Sequence, residues 1–133
     1  MTILGIGVDV VHIPRFAALL NRRGSRQLAT RILSLEEYAQ WQSSSHSDPS
    51  HHARFFAVRW ALKEAAYKAV YPVVRPTWKE FTYRGTGPGR VDPKPSLLYR
   101  PRIHADLSKV GLMHISVSHD GEYVFASVLV EGP

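Results

Sequence analysis

The run RFFAVRWALKEAAYKAV, Arg54 to Val70, contains no glycine or proline and is apolar over most of its circumference. Val58, Leu62, Ala65 and Ala69 fall on one face at helical spacing, and Phe55, Phe56, Trp60 and Tyr67 carry the apolar surface well around the cylinder. A helix apolar on most sides is largely buried, so the run predicts a long central helix, stopped by Tyr71-Pro72. Two charges inside it raise a question. Glu64 and Lys68 stand one turn apart, and an exposed pair of that kind contributes only about 0.2–0.5 kcal/mol. A carboxylate beside Trp60 and Tyr67 needs a partner, and Lys68 is the one that spacing offers. Arg59 and Lys63 fall on another flank.

Outward from this helix the chain alternates strand and helix signals. Ile3 to Val11 (ILGIGVDVV) is apolar and β-branched, interrupted by Gly5, Gly7 and Asp9, and reads as a strand. Pro14 opens a first helix, with Gly24 as its cap. RQLATRILSLEEYAQW carries a second helical pattern, and Ser34 followed by Glu37 is a capping-box signature that starts a helix near Leu35. Ser43 to His52 reads as a polar surface loop. Its His46, His51 and His52 lack the fixed geometry of a metal tract. Trp78–Gly85 reads as a strand, residues 85–95 as a turn-rich connection, and SLLYRPRI (residues 96–103) as an edge strand carrying Pro101. HADLSKVG is a short helix, and HISVSHDGEYVFASVLVE is two alternating strands around the turn HDGE. No repeat or linker divides residues 1–133, so a single α+β domain is expected, with a small antiparallel sheet packed on the long helix.

Composition narrows the function. The chain has 133 residues, 44% hydrophobic and 21% charged, and no cysteine. Disulfides, thiolate metal sites and a cysteine nucleophile are thereby excluded, and a reducing compartment fits. No apolar run approaches a membrane span, and the N-terminus reads as a strand rather than a targeting leader. The net charge of +6 points to an acidic partner: nucleic acid, a phosphorylated ligand or an acidic protein. The 17 Lys and Arg residues are scattered, which does not favour nucleic acid.

Asp9 is the second carboxylate of interest, since a lone acid is poorly tolerated in an apolar strand. Asp9 and Glu64, two oxygen donors on otherwise apolar elements, suit Mg²⁺, which takes one or two carboxylates along with waters and substrate phosphates. Ser116, Ser118 and His119 end a strand at a turn, a polar strand end that by itself implies only local hydrogen bonds.

The segments GIGVDVVHIPRF, RILSLEEY, RFFAVRWALKEAAYKA, WKEFTY and ISVSHDGEYVFASVLVE, in this order and spacing, resemble the holo-acyl-carrier-protein synthases, the short single-domain phosphopantetheinyl transferases. The resemblance implies transfer of the phosphopantetheine arm of coenzyme A to a serine of an apo acyl carrier protein, with Mg²⁺ and release of adenosine bisphosphate. It assigns Asp9 and Glu64 to the metal, and Lys68, Ser118 and His119 to the coenzyme. Glu64 and Lys68 become the catalytic pair, and Arg15 and Arg59 docking contacts for an acidic helix of the carrier protein. The acceptor of the serine proton stays open among Glu64, Asp9 and a metal-bound water. The resemblance also implies a homotrimer with coenzyme A at the subunit interfaces.

There are departures from the family pattern. VYPVVRPT stands where the family has a glycine-rich loop, with Arg75 a candidate substitute for its phosphate contacts. The histidine-bearing loop and residues 84–94 suggest a eukaryotic or organellar version, in the cytoplasm or the mitochondrial matrix. Two other readings compete. One is a nucleic-acid module built on Lys79, Phe81, Tyr83 and Arg84, residues that strand alternation explains more simply. The other is an inactive scaffold, which the intact matched positions argue against.

Overall fold

The computed structural model describes residues 1–44, 48–86 and 92–133. The elements are β1 (Ile3–His12), α1 (Ile13–Arg23), α2 (Ser25–Ile32), α3 (Leu35–Ser43), α4 (Pro49–Val70), β2 (Phe81–Arg84), β3 (Ser96–Tyr99), β4 (Met113–Asp120) and β5 (Tyr123–Glu131). Short 3-10 turns stand at Trp78–Glu80 and His104–Lys109. The expected α+β architecture is present, with two antiparallel sheets where one was expected. The larger has the order β1-β5-β4 and packs on α4, and the smaller is β2-β3.

Local chemistry accounts for the element ends. Ser34 accepts from the Glu37 amide while Glu37 accepts from the Ser34 amide, so α3 starts at Leu35 as its capping box requires. The long helix begins at Pro49 rather than near Arg54. Asp48 caps it by accepting from the Ser50 and His51 amides, and Pro49 sits where no amide is needed. The expected polar loop is therefore shorter than Ser43 to His52, and His51 and His52 belong to α4. His52 Nε2 accepts a hydrogen bond from Trp41 Nε1 at 3.1 Å, a packing role. His46 and residues 87–91 of the connection lie outside the described residues.

Along β1, Gly5, Gly7, Asp9 and Val11 are paired with Val130, Val128, Ala126 and Val124 of β5. Directly paired residues share a face, and those four β5 residues are fully buried. This face meets α4. A Cβ on Gly5 would collide with the Ala69 carbonyl, and one on Gly7 with the Ala65 carbonyl. Two strand residues advance about 6.6 Å and four helical residues about 6 Å, so successive inward positions of β1 stay in step with successive turns of α4. The next inward position is Asp9.

A buried carboxylate ties the remaining layer to α4. Glu37 is fully buried and accepts from the Ser34 amide, the Tyr83 amide and Lys63 Nζ. Lys63, placed by spacing on a flank with Arg59, is fully buried too. Its ammonium also donates to the Ile32 carbonyl at the end of α2 at 2.7 Å, a group that the helix itself cannot satisfy. Burial pushes the Lys63 pKa down, and the Glu37 charge opposes that shift.

Gly7→Ala should force β1 away from α4. We expect a loss of about 1–3 kcal/mol in urea unfolding, because the obstacle is helix backbone rather than a side chain that can rotate away. Unchanged stability would mean that the strand-to-helix spacing is not fixed by this contact.

Candidate active site

Asp9 projects from the inner face of β1 toward α4. Its Oδ1 accepts from Lys68 Nζ at 3.3 Å, and the same ammonium donates to the Val8 carbonyl at 3.0 Å. The Asp9 side chain is 18% exposed and that of Lys68 is 53% exposed, so the pair joins a sheltered carboxylate to a cation that reaches solvent. Burial raises the Asp9 pKa above the ordinary value, while the Lys68 hydrogen bond and charge and the Val10 amide pull it back.

Glu64 is oriented differently from the expectation. Its Oε1 accepts from Trp78 Nε1 at 3.0 Å rather than from Lys68. The Trp78 ring stacks on Trp60, with centroids 5.1 Å apart and planes 18° from parallel. The within-helix pair suggested by spacing is thus replaced by two bonds between elements, Lys68 to β1 and Glu64 to the turn after α4. A cleft of about 460 Å³ opens beside them, lined by Asp9 and His12 of β1, Arg15 and Arg22 of α1, and Trp60 and Glu64 of α4. It holds two carboxylates and two guanidinium groups. Among the described residues, no three His, Cys, Asp or Glu side chains are grouped to hold a metal ion by themselves.

Other expected residues lie elsewhere. The Arg59 guanidinium sits 3.6 Å from the centre of the Phe55 ring, and its Nε lies 3.8 Å from Glu37. With 11% of its side chain exposed it is largely buried and does not line the cleft. Ser118 and His119 are paired with Phe125 and Val124 of β5, whose partners on the far side are Val10 and Val11. They stand near the level of Asp9 but two strands across, roughly 10 Å away, and exposed. Arg75 lies over the Tyr71 ring at 5.4 Å. Phe81 is buried and Arg84 is bound bidentately by Glu36, which removes two members of the nucleic-acid grouping. Trp78 and Arg22 were not anticipated. The signal for Trp78 was present, because Thr77-Trp-Lys-Glu80 is itself a capping-box sequence, and it folds as a 3-10 turn where a strand was expected.

The 4'-phosphopantetheinyl transferase superfamily model matches residues 5–124. The chain belongs to this superfamily. A holo-[acyl-carrier-protein] synthase of Erwinia tasmaniensis is 36% identical over 135 residues, covering 98% of this chain and 99% of the relative. The crystal structure of a holo-[acyl-carrier-protein] synthase from Neisseria meningitidis superposes with a TM-score of 0.77 at 28% identity, over 98% of this chain and 99% of that one. That of the Bacillus anthracis synthase, in complex with coenzyme A (3',5'-ADP), gives 0.73 at 26% identity over 100% of both. The expected eukaryotic or organellar character is not borne out, since this curated relative is bacterial and matches nearly end to end. The same similarity gives no support to a mitochondrial location. Among the described residues no helix is long and apolar enough to cross a membrane.

Trp78→Phe should retain the stack on Trp60 and remove the hydrogen bond to Glu64, lowering stability by about 1 kcal/mol. Trp78→Ala should lower it further, by removing the stack as well. Unchanged stability of Trp78→Phe in urea unfolding would show that the indole N–H contributes nothing.

Proposed function

We propose that this chain transfers phosphopantetheine from coenzyme A to a serine hydroxyl of an apo acyl carrier protein, releasing adenosine 3',5'-bisphosphate. The observation that carries the reading is the convergence of Asp9 and Glu64, from different elements, on one cleft, with Lys68 bonded to Asp9. Superfamily membership and near full-length similarity to the Erwinia synthase support it.

The serine oxygen attacks the phosphorus that carries the pantetheine arm, and the bond to the departing adenosine bisphosphate breaks. Charge develops on phosphoryl oxygens, so positioning and electrostatic stabilisation dominate. Lys68 is suited to hold those oxygens, because half of its side chain is already exposed beside the cleft. Arg15, exposed on the first turn of α1 and lining the cleft, is suited to guide an acidic carrier surface toward Asp9. The donor set fits Mg²⁺: two hard oxygen ligands lining one cleft, with room for water and substrate phosphates to complete the shell. Held by Asp9 and Glu64, the ion would neutralise pyrophosphate charge.

Ser118 and His119 stand across β5 from the same chain's Asp9, so a coenzyme shared with a second copy suits their assigned role. The outer face of the larger sheet is suited to bring one. Ile6, Val8, Val10, Tyr123 and Phe125 all point away from α4, and Ile6 and Val10 are 67% and 57% exposed. A trimer joined through this face would set one chain's β4 beside its neighbour's cleft.

Apo carrier protein, coenzyme A and Mg²⁺ incubated with the protein should yield carrier heavier by one phosphopantetheine in mass spectrometry. No mass gain would overturn the reading. Asp9→Asn and Glu64→Gln should each lower turnover by orders of magnitude, with folding retained. Lys68→Met should lower coenzyme affinity or turnover at least tenfold, about 1.4 kcal/mol. Wild-type kinetics for Lys68→Met would reduce that residue to a structural ion pair.

The assembly is checked separately. Val8→Lys, at the centre of the exposed face, should give a monomer by light scattering and little transfer activity. A fully active monomer would sink the shared-site arrangement.

A further inference from the structure

Arg31, Lys79, Arg100 and Arg102 come from three separate segments, the last turn of α2, the Trp78–Glu80 turn and the chain following β3. They line one open cleft of about 490 Å³ together with Thr77, Trp78 and Glu80. All four cations are exposed, and among the described residues none of their side chains makes an ion pair or hydrogen bond. The one carboxylate present, Glu80, is buried and turned inward. It accepts from the Thr77 amide, the Thr77 hydroxyl and the Arg102 amide, and its own carbonyl accepts from the Arg100 amide.

That arrangement decides the kind of ligand. A deep phosphate site is built from free backbone amides. Here the amides of Thr77, Arg100 and Arg102 are already bound to Glu80, whose negative charge lies at the floor. What remains for a partner is a rim of long, solvated cations spread over three segments. Such a rim suits carboxylates on a protein surface, where rim charges steer encounter and set register. Trp78 forms one wall of this cleft, and its N–H holds Glu64, so the rim adjoins the proposed catalytic residues.

We propose that Arg31, Lys79, Arg100 and Arg102 form a second docking surface for an acidic face of the carrier protein, separate from the Arg15 cleft. This rests on the carrier-protein reading above. It gives four of the scattered positive charges a common use and places the second contact across the Trp60–Trp78 stack from the first.

The test measures two things on the same proteins: steady-state transfer, and direct binding of apo carrier protein without coenzyme A. For the variant Arg100→Glu with Arg102→Glu, and independently for Lys79→Glu, we expect carrier-protein KM and Kd to rise at least tenfold and threefold respectively at low salt. KM for coenzyme A and kcat at saturating carrier should hold, and the difference from wild type should shrink in about 0.5 M salt, where the screening length falls to a few Å. Circular dichroism and unfolding curves check that the variants fold, and Lys79→Glu, on a different segment, stands in if the double variant does not. A rise in coenzyme A KM with carrier KM unchanged would overturn the proposal in favour of a coenzyme phosphate site. No change in either constant would reduce the rim to solvated surface. Failure of the wild type to transfer phosphopantetheine, with rim-dependent carrier binding intact, would remove the enzymatic reading and leave the docking surface standing.

Discussion

The separation of β1 from α4 governs the candidate site. Ordinary side chains would hold a strand and a helix about 10 Å apart, and no short acid on the strand could then share a cleft with groups on the helix. Gly5 and Gly7 remove the spacer, so that the strand backbone lies against the carbonyls of Ala69 and Ala65. Ala65 and Ala69 do the same from the helix side, both of them buried. Asp9 continues the inward row immediately after the glycines, and Lys68 reaches it together with the Val8 carbonyl. The small residues are therefore part of the chemistry, since they set the distance over which the charged groups act.

A second constraint holds the other side of α4. Glu37 and Lys63 are both fully buried, and a buried ion pair is weak evidence for stability because desolvation offsets attraction. Its contribution is better seen as specificity of position. Lys63 engages the end of α2 and the start of α3 at once, and Glu37 also receives the Tyr83 amide of β2. Thr82 donates to Ser34 beside it. One acid and one base thus fix two helices and a strand against the helix that carries Glu64, one residue further on. The turn bearing Trp78 immediately precedes β2, so this anchoring also bears on the indole that orients Glu64.

Much of the fold was legible because its signals are local. The capping box at Ser34, the proline-led start of α1, the strand pattern before Pro14 and the HDGE turn each involve groups a few residues apart. What the sequence did not disclose was partner choice. Helical spacing pairs Glu64 with Lys68, yet Trp78 and Asp9 take them, and neither partner is on the helix. The same reason hid Lys63. A lysine four residues from an arginine on a helix reads as a solvated flank, and only the distant Glu37 and Ile32 carbonyl make its burial tolerable. Asp9 was legible as an oddity because an acid in an apolar strand violates a local rule, whereas the burial of Arg59 beside Phe55 and Glu37 was not, because cations look alike until their surroundings are known.

Ser118 and His119 stand one strand removed from the strand that carries Asp9. Antiparallel order puts β5 between them and Asp9, and β5 cannot be displaced without exposing Val124, Ala126, Val128 and Val130. The sheet also leaves Ile6, Val8 and Val10 on a face that α4 does not cover. Contiguous exposed apolar surface of this kind marks association in soluble proteins. Alternation along β1 links the two facts: the period that turns Gly5, Gly7 and Asp9 inward necessarily turns Ile6, Val8 and Val10 outward. A strand that carries a sheltered acid at close range on one face and stays apolar on the other presents that second face as the surface on which the proposed assembly rests.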